Sequence, residues 1–512
     1  MTSLLNGSTT RLDEFLVKHE RILLYSFCVL AMLRIFIFVA AFPFFNTVDE
    51  SEHFDAVVKY SKGHLPRNDT ENYSRESAEY IVLCGSPEYL NRADNFESGR
   101  IPSPLRYSDR DALSEHISST VECWMGMQNH ETLSPPIYYA LAGCWLNIGK
   151  LAGIEGEHLL YWLRFLNLPI CALVFWVAFL LCKTVFRENS AMRLSALLLL
   201  AFFPQDVFYS INSDVLSPLF CATSLYLLLQ IYNTNRSLRF HLLTGITVSA
   251  ALLVKLSNAP LLAILAVFIL LRTRKLLREQ LFKKQLPHLL SLITGCALPI
   301  VLWISWNLYS QGDITGNAEK VRALGWVEKP LGEIWNHPIF SLNGLLYFLN
   351  ELLKTFWRGE FVWGLQRVAS TTMDSFYIIS SYVFVSCSII HALIAKKTSA
   401  PGHRFAIRMC ALTLGLFVAF MTALSVRYDF GNCWYPSREY PFFTSGRLIL
   451  GALAPFLILY ADGVGIIVSR IFGKQFNLFP VVLLICIIMT SSEIWITRPV
   501  FKSAYNWFHL FF

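Results

Sequence analysis

The chain has 512 residues, of which 54% are hydrophobic and only 15% charged, and its mean hydropathy is +0.46. That excludes a soluble multidomain protein and defines a polytopic membrane protein. The formal net charge of +7 collects in short basic loops, so it reads as membrane topology and calls for no nucleic-acid partner.

A helical span needs roughly 20 mostly apolar residues, and the chain offers about eleven such runs. In chain order they cover roughly 22–45, 159–182, 194–210, 215–232, 240–254, 258–271, 288–309, 373–395, 405–426, 446–466 and 477–497. The first run is long and lacks a small-residue cleavage pattern, so it is expected to stay as a signal anchor. Basic residues mark every second connection: Lys183, Arg187 and Arg193; Arg236 and Arg239; the Arg272–Lys284 cluster; Lys396, Lys397, Arg404 and Arg408; Arg470 and Lys474. If these all face the cytoplasm, residues 1–21 lie inside. Residues 46–158, 310–372 and the 498–512 tail then lie outside, separated by spans two to seven (159–309) and eight to eleven (373–497). The segment Ser134-Pro135-Pro136-Ile137-Tyr138-Tyr139 to Leu146 is apolar, but counting it as a span inverts every later loop. It is expected to be a helix lying against the outer interface.

The first outer loop opens on Val48-Asp49-Glu50-Ser51-Glu52-His53-Phe54. Carboxylates at the lip of a bilayer are costly, which points to chemistry beside them. Asp49 and Glu50 are the candidate catalytic acids, one able to serve as general base; the competing account is a helix cap or a pairing with a nearby arginine. His53, one helical turn on, is open to a proton-relay, substrate or metal role, or to being a solvated loop histidine. In the same loop, Cys84 and Cys123 can form a bridge or remain thiols, and Asn68-Asp69-Thr70 and Asn72-Tyr73-Ser74 are glycosylation signals.

Arg164, Lys255 and Arg447 fall near the outer ends of spans, where they can neutralise a lipid-linked phosphate or anchor the helix by snorkelling. Asp206, Asn212 and Asp214 sit in a short outer connection, as ligands for sugar hydroxyls or as caps. Trp357, Trp363, Tyr377, Trp434 and Tyr435 read as an interfacial belt, or as platforms for a sugar ring.

These residues carry a family resemblance. An outward Asp-Glu after the first span, Ser134-Pro135-Pro136-Ile137-Tyr138-Tyr139, Trp306-Asn307-Leu308-Tyr309, Phe356-Trp357-Arg358-Gly359-Glu360-Phe361-Val362-Trp363-Gly364 and Gly446-Arg447-Leu448-Ile449-Leu450 follow one another in order. The chain resembles the glycosyltransferase C superfamily, including protein O-mannosyltransferases and lipid A aminoarabinose transferases, and more closely a bacterial group of predicted members. The resemblance implies an all-α polytopic membrane protein of glycosyltransferase C type, with juxtamembrane helices in its large first loop. It implies inverting transfer of a sugar from a polyprenyl-phosphate or diphosphate donor, outside the bacterial inner membrane, to a glycan, lipid or protein acceptor. Asp49 matches the catalytic base and Glu50 its supporting acid; Arg447 and Lys255 match donor-phosphate contacts, with His53, Arg164 and Asp214 as further substrate-binding candidates. Ser134 departs from the His that commonly precedes the Pro pair. Some members of the superfamily use a divalent metal and others none, so that cofactor stays open here. The alternatives from other classes are a transporter or flippase, and a polysaccharide ligase; paired halves and midplane charges, which a transporter commonly shows, are not evident.

Overall fold

The computed structural model describes residues 2–66, 71–105, 111–394, 401–430, 438–439, 441–473 and 476–510. The Asn68 glycosylation signal, Lys396, Lys397, Cys433, Trp434, Tyr435 and Lys474 lie outside these residues.

Helix α1, Thr2–Ala41, carries the first apolar run and stops two residues short of Pro43, which cannot continue a helix. The chain then turns into a cap of four helices, α2 (Glu50–Ser61), α3 (Arg75–Cys84), α4 (Ser114–Gly126) and α5 (Ile137–Leu151). The segment expected at the interface forms α5, of 15 residues. It buries Tyr138, Tyr139 and Ala142, and packs closely along α2. Helix α6, Gly156–Arg164, is tied to α5 by Trp145 and Trp162, whose rings stack 4.4 Å apart. Each indole N–H donates to the other's backbone carbonyl at 2.8 Å. No bridge joins Cys84, which is buried, to Cys123, which is exposed.

The membrane bundle continues with α7 (Asn167–Val185), α8 (Ser190–Ala201), α9 (Ser217–Asn233), α10 (Leu238–Val254), α11 (Pro260–Arg278) and α12 (Phe282–Gln311). After the short α13 (Ala318–Ala323) and the amphipathic α14 (Leu342–Arg358) come α15 (Thr371–Ile394), α16 (Pro401–Arg427), α17 (Leu453–Ile471) and α18 (Phe479–Ile496). Among the described residues nine helices are long and apolar enough to cross a membrane, and α8 and α10 are shorter apolar helices. Together they account for the eleven runs expected, and the protein is a multi-pass membrane protein. The Gly446–Phe472 span is 83% buried, the most enclosed of the nine, so it forms the centre of the bundle. Among the described residues strand structure is confined to two-residue pairs, such as Val327–Glu328 against Tyr428–Asp429.

Two of the aromatics read as an interfacial belt are core residues instead. Trp357 is fully buried, stacks on Tyr377 at 5.0 Å, and donates its indole N–H to Ser381 Oγ at 2.8 Å. The end of α14 packs under the Gly446–Phe472 span, which removes both rings from lipid and from substrate.

Candidate active site

The connections at the end of the bundle away from the basic loops converge on Asp49. It occupies the N-cap position of α2 with a left-handed backbone, φ 61°, uncommon for any residue with a side chain. Its carboxylate caps no backbone N–H of the helix. It is aimed sideways instead, at Arg447 Nη2, 2.5 Å from Oδ2. The cap account therefore holds for the position of Asp49 and fails for its side chain.

Arg447 leaves the first turn of the central span, and its placement depends on Gly446. A Cβ on Gly446 would lie 2.0 Å from the backbone nitrogen of Phe356, so only glycine lets α14 approach this closely. Besides Asp49, the guanidinium reaches Asp214 Oδ2 at 3.4 Å and Glu360 Oε2 at 3.6 Å. Asp214 Oδ2 also receives Lys255 Nζ at 2.7 Å, so one carboxylate oxygen is shared by both cations. Glu360 follows Gly359, which has φ 79° and presses against the Asp206 carboxylate; Asp206 Oδ2 in turn accepts the Glu360 N–H at 2.8 Å. Burial, and then the nearby Glu360, push the Asp206 carboxyl up to about 7.

A second group stands on the other side of Asp49. His53 is fully buried; its Nδ1 lies 2.8 Å from the Tyr139 hydroxyl, which donates to Glu131 Oε2 at 3.1 Å. Ser134 Oγ also donates to that oxygen at 2.6 Å, and Lys320 pairs with Oε1. Burial raises the Glu131 carboxyl, but the nearby positive charge, Lys320 first, outweighs it and holds the group well below the ordinary carboxylate range. Ionised Glu131 can only accept, so the Tyr139 proton points to it and the His53 Nδ1 proton points to Tyr139. That leaves His53 Nε2 as a bare lone pair, buried and with no hydrogen-bond partner among the described residues. Burial brings the His53 pKa down to about 3, so the ring is neutral near pH 7. For Asp49 burial acts upward and Arg447 downward, and the net shift is down.

One ligand atom each from Asp49, His53 and Glu131 lies within 4.8 Å of the others. Two carboxylates and an imidazole whose Nε2 has no partner make a donor set that fits a small divalent cation.

Glu50 and Arg164 form a separate unit. Both are fully buried, and Arg164 Nε and Nη2 donate to Glu50 Oε1 and Oε2 at 2.7 Å each. The backbone N–H groups of Ile211 and Phe45 complete the carboxylate at 3.0 and 2.9 Å, while Arg164 also donates to Phe42 O and to Pro43 O at 2.9 Å. This pair fastens the turn before α2 to α6 and to the Phe203–Asn212 connection; its polar atoms are used within the protein. The structure thus brings Asp49, His53, Asp214, Lys255 and Arg447 into one constellation and holds Glu50 and Arg164 behind it. Glu131 and Lys320 join the site without having been candidates from sequence, and Glu360 and Tyr139 appear in the sequence only as parts of longer motifs. Acids three residues before Ser134 and just after Arg358-Gly359 were the available signals.

The sequence matches, over residues 32–429, the family described as "Predicted membrane protein (DUF2142)", and the chain belongs to that family. A search of the curated proteins finds no match. Among solved structures, the Archaeoglobus fulgidus oligosaccharyltransferase in its apo form aligns over 94% of this chain and 56% of its own, at 12% identity and a TM-score of 0.45. The same enzyme, AglB, in complex with an inhibitory peptide and a dolichol-phosphate aligns over 95% and 56% at 13% identity and a TM-score of 0.41. The chain spans a little over half the length of these structures, and the likeness is one of outline.

Proposed function

We propose that the protein is a membrane glycosyltransferase that moves a sugar from a polyprenyl-phosphate or diphosphate donor to an acceptor outside the membrane, with inversion. The observation that carries this reading is the contact of Asp49 with Arg447, beside Lys255 and at the mouth of the central span. In this reading a carboxylate able to take a proton and two cations able to take a phosphate meet where the headgroup of the lipid donor would bind. The order of the sequence motifs supports the same class.

In this reading the acceptor hydroxyl gives its proton to Asp49 as its oxygen bonds to the anomeric carbon from the face opposite the phosphate. The bond from that carbon to the phosphate oxygen breaks, and the lipid phosphate leaves with the electron pair. Arg447 and Lys255 stabilise that charge, taking the phosphate in place of the Asp214 oxygen they share. Arg447 also holds Asp49 ionised and oriented. Glu50 positions the turn that carries Asp49, acting through Arg164. A divalent cation bound at Asp49, His53 and Glu131 would add positive charge near the leaving group. The test is incubation of the protein in lipid nanodiscs with a polyprenyl-phosphate hexose labelled in the sugar, together with envelope extract. The reading predicts label in a product and release of polyprenyl phosphate; an intact donor after prolonged incubation contradicts it.

A further inference from the structure

A cavity of about 800 Å³ opens on the side of Asp49 that faces the cap. Asp49 and Glu52 supply its carboxylates, Tyr89 and Trp124 its large aromatic surfaces, and Asn91 and Thr120 its neutral polar groups. No lysine or arginine is among the described residues that line it. The cations of the site stand elsewhere: Arg447 on Asp49 and Asp214, Lys255 on Asp214, Lys320 on Glu131. Asp49 therefore stands between these cations and a chamber whose described lining carries no lysine or arginine and a single histidine, His116.

We propose that this chamber is the acceptor site, that it takes a neutral, hydroxyl-rich saccharide, and that Glu52 and Trp124 determine this specificity. The inference rests on the transferase reading above. A phosphate, sulfate or carboxylate entering the chamber would meet the side chains of Glu52 and of Asp49, the latter already paired with Arg447, and no lysine or arginine among the described lining residues. A sugar hydroxyl is the complementary group, because it donates to carboxylates in short charge-assisted bonds. Tyr89 and Trp124 offer flat apolar surfaces to the C–H faces of a sugar ring. Glu52 follows Asp49 by three residues, about one helical turn, so both carboxylates face the same chamber. Glu52 Oε2 accepts from Ser51 Oγ at 2.8 Å, and the Tyr73 hydroxyl also bonds to the carboxyl group, whose two oxygens have lone pairs left for a ligand in the chamber. The volume lies in the upper part of the range of pockets that enclose a whole ligand, roughly 300–1,000 Å³, enough for several sugar units. A peptide acceptor fits less well, since none of the described lining residues belongs to a strand whose edge an extended chain could pair with.

The full-length protein in nanodiscs is titrated with neutral trisaccharides of glucose, mannose and N-acetylglucosamine, with sialylated and sulfated trisaccharides, and with a peptide. Binding of polyprenyl phosphate is measured on the same samples. A neutral trisaccharide is expected to bind, and Glu52→Gln and Trp124→Ala to weaken it about tenfold or more. Trp124→Phe, which keeps a ring, is expected to restore most of the binding, and Lys255→Ala to leave it unchanged. Preference for the anionic saccharides or the peptide, equal loss from Lys255→Ala and Trp124→Ala, or no saccharide bound would overturn the acceptor site. If polyprenyl phosphate still binds and is weakened by Arg447→Ala, that failure is confined to the acceptor; loss of both ligands removes the transferase reading itself.

Discussion

Replacing Glu50 by Gln separates a structural carboxylate from a chemical one. The wild-type carboxylate takes two charge-assisted bonds from Arg164 at 2.7 Å and two backbone N–H bonds near 3 Å, with no exposure of either side chain. A Gln side chain offers one oxygen, and its amide N–H group confronts a guanidinium N–H, so at least one charge-assisted bond is lost, about 1.5–3 kcal/mol. Arg164 is also left as a buried charge without a counter-ion, and breaking such a pair costs about 3–5 kcal/mol altogether. That is a change of roughly two to four powers of ten in the folding equilibrium. The assay is denaturant or thermal unfolding of the purified protein in one detergent, with donor transfer measured in parallel. Glu50→Gln combined with Arg164→Leu removes both charges and is expected to recover much of the stability. A Glu50→Gln protein with wild-type stability and abolished transfer would refute the reasoning and put Glu50 into the chemistry.

Further outcomes follow from the same geometry. Arg447→Ala removes the cation next to Asp49 and is expected to weaken polyprenyl-phosphate binding at least tenfold while leaving saccharide binding intact; unchanged lipid affinity counts against its role. Gly446→Ala places a methyl group 2.0 Å from the Phe356 nitrogen, so α14 must move away from the central span; the variant should lose transfer and melt earlier, and a wild-type melting curve would contradict the packing. With a chelator present, stability should fall as pH drops from about 6.5 toward 4. The unfolded chain protonates His53 near 6.5 whereas the folded ring resists until about 3, and Glu131 adds an acid loss of the same sign because its folded carboxyl sits below the ordinary range near 4.3. His53→Gln should flatten the upper part of that curve; an unchanged curve would place the ring in a solvated setting.

The spans were legible because apolar length reports directly on the bilayer, and the 134–146 segment was legible as a helix, α5, that packs along α2. Asp49 was legible as an acid at a lip. Its partner was not, because Asp49 and Arg447 are 398 residues apart and nothing local links them. The same distance problem hid Glu131, a lone acid in a polar loop until Tyr139 and Lys320 fold against it. For Glu50 the sequence left two accounts open, a catalytic acid or a partner for a nearby arginine, and the contacts in the structure are those of the second. Adjacent acids look alike in a sequence, and it is the left-handed turn at Asp49 that sends one carboxylate to the site and the other into a buried pair with Arg164.

The most direct measurement is sugar transfer by Asp49→Asn, an isosteric change that keeps a partner for Arg447, with polyprenyl-phosphate hexose as donor and donor binding measured on the same preparation. The account predicts transfer reduced by a factor of about 100 to 10,000 with the lipid still bound. Transfer at the wild-type rate would contradict it.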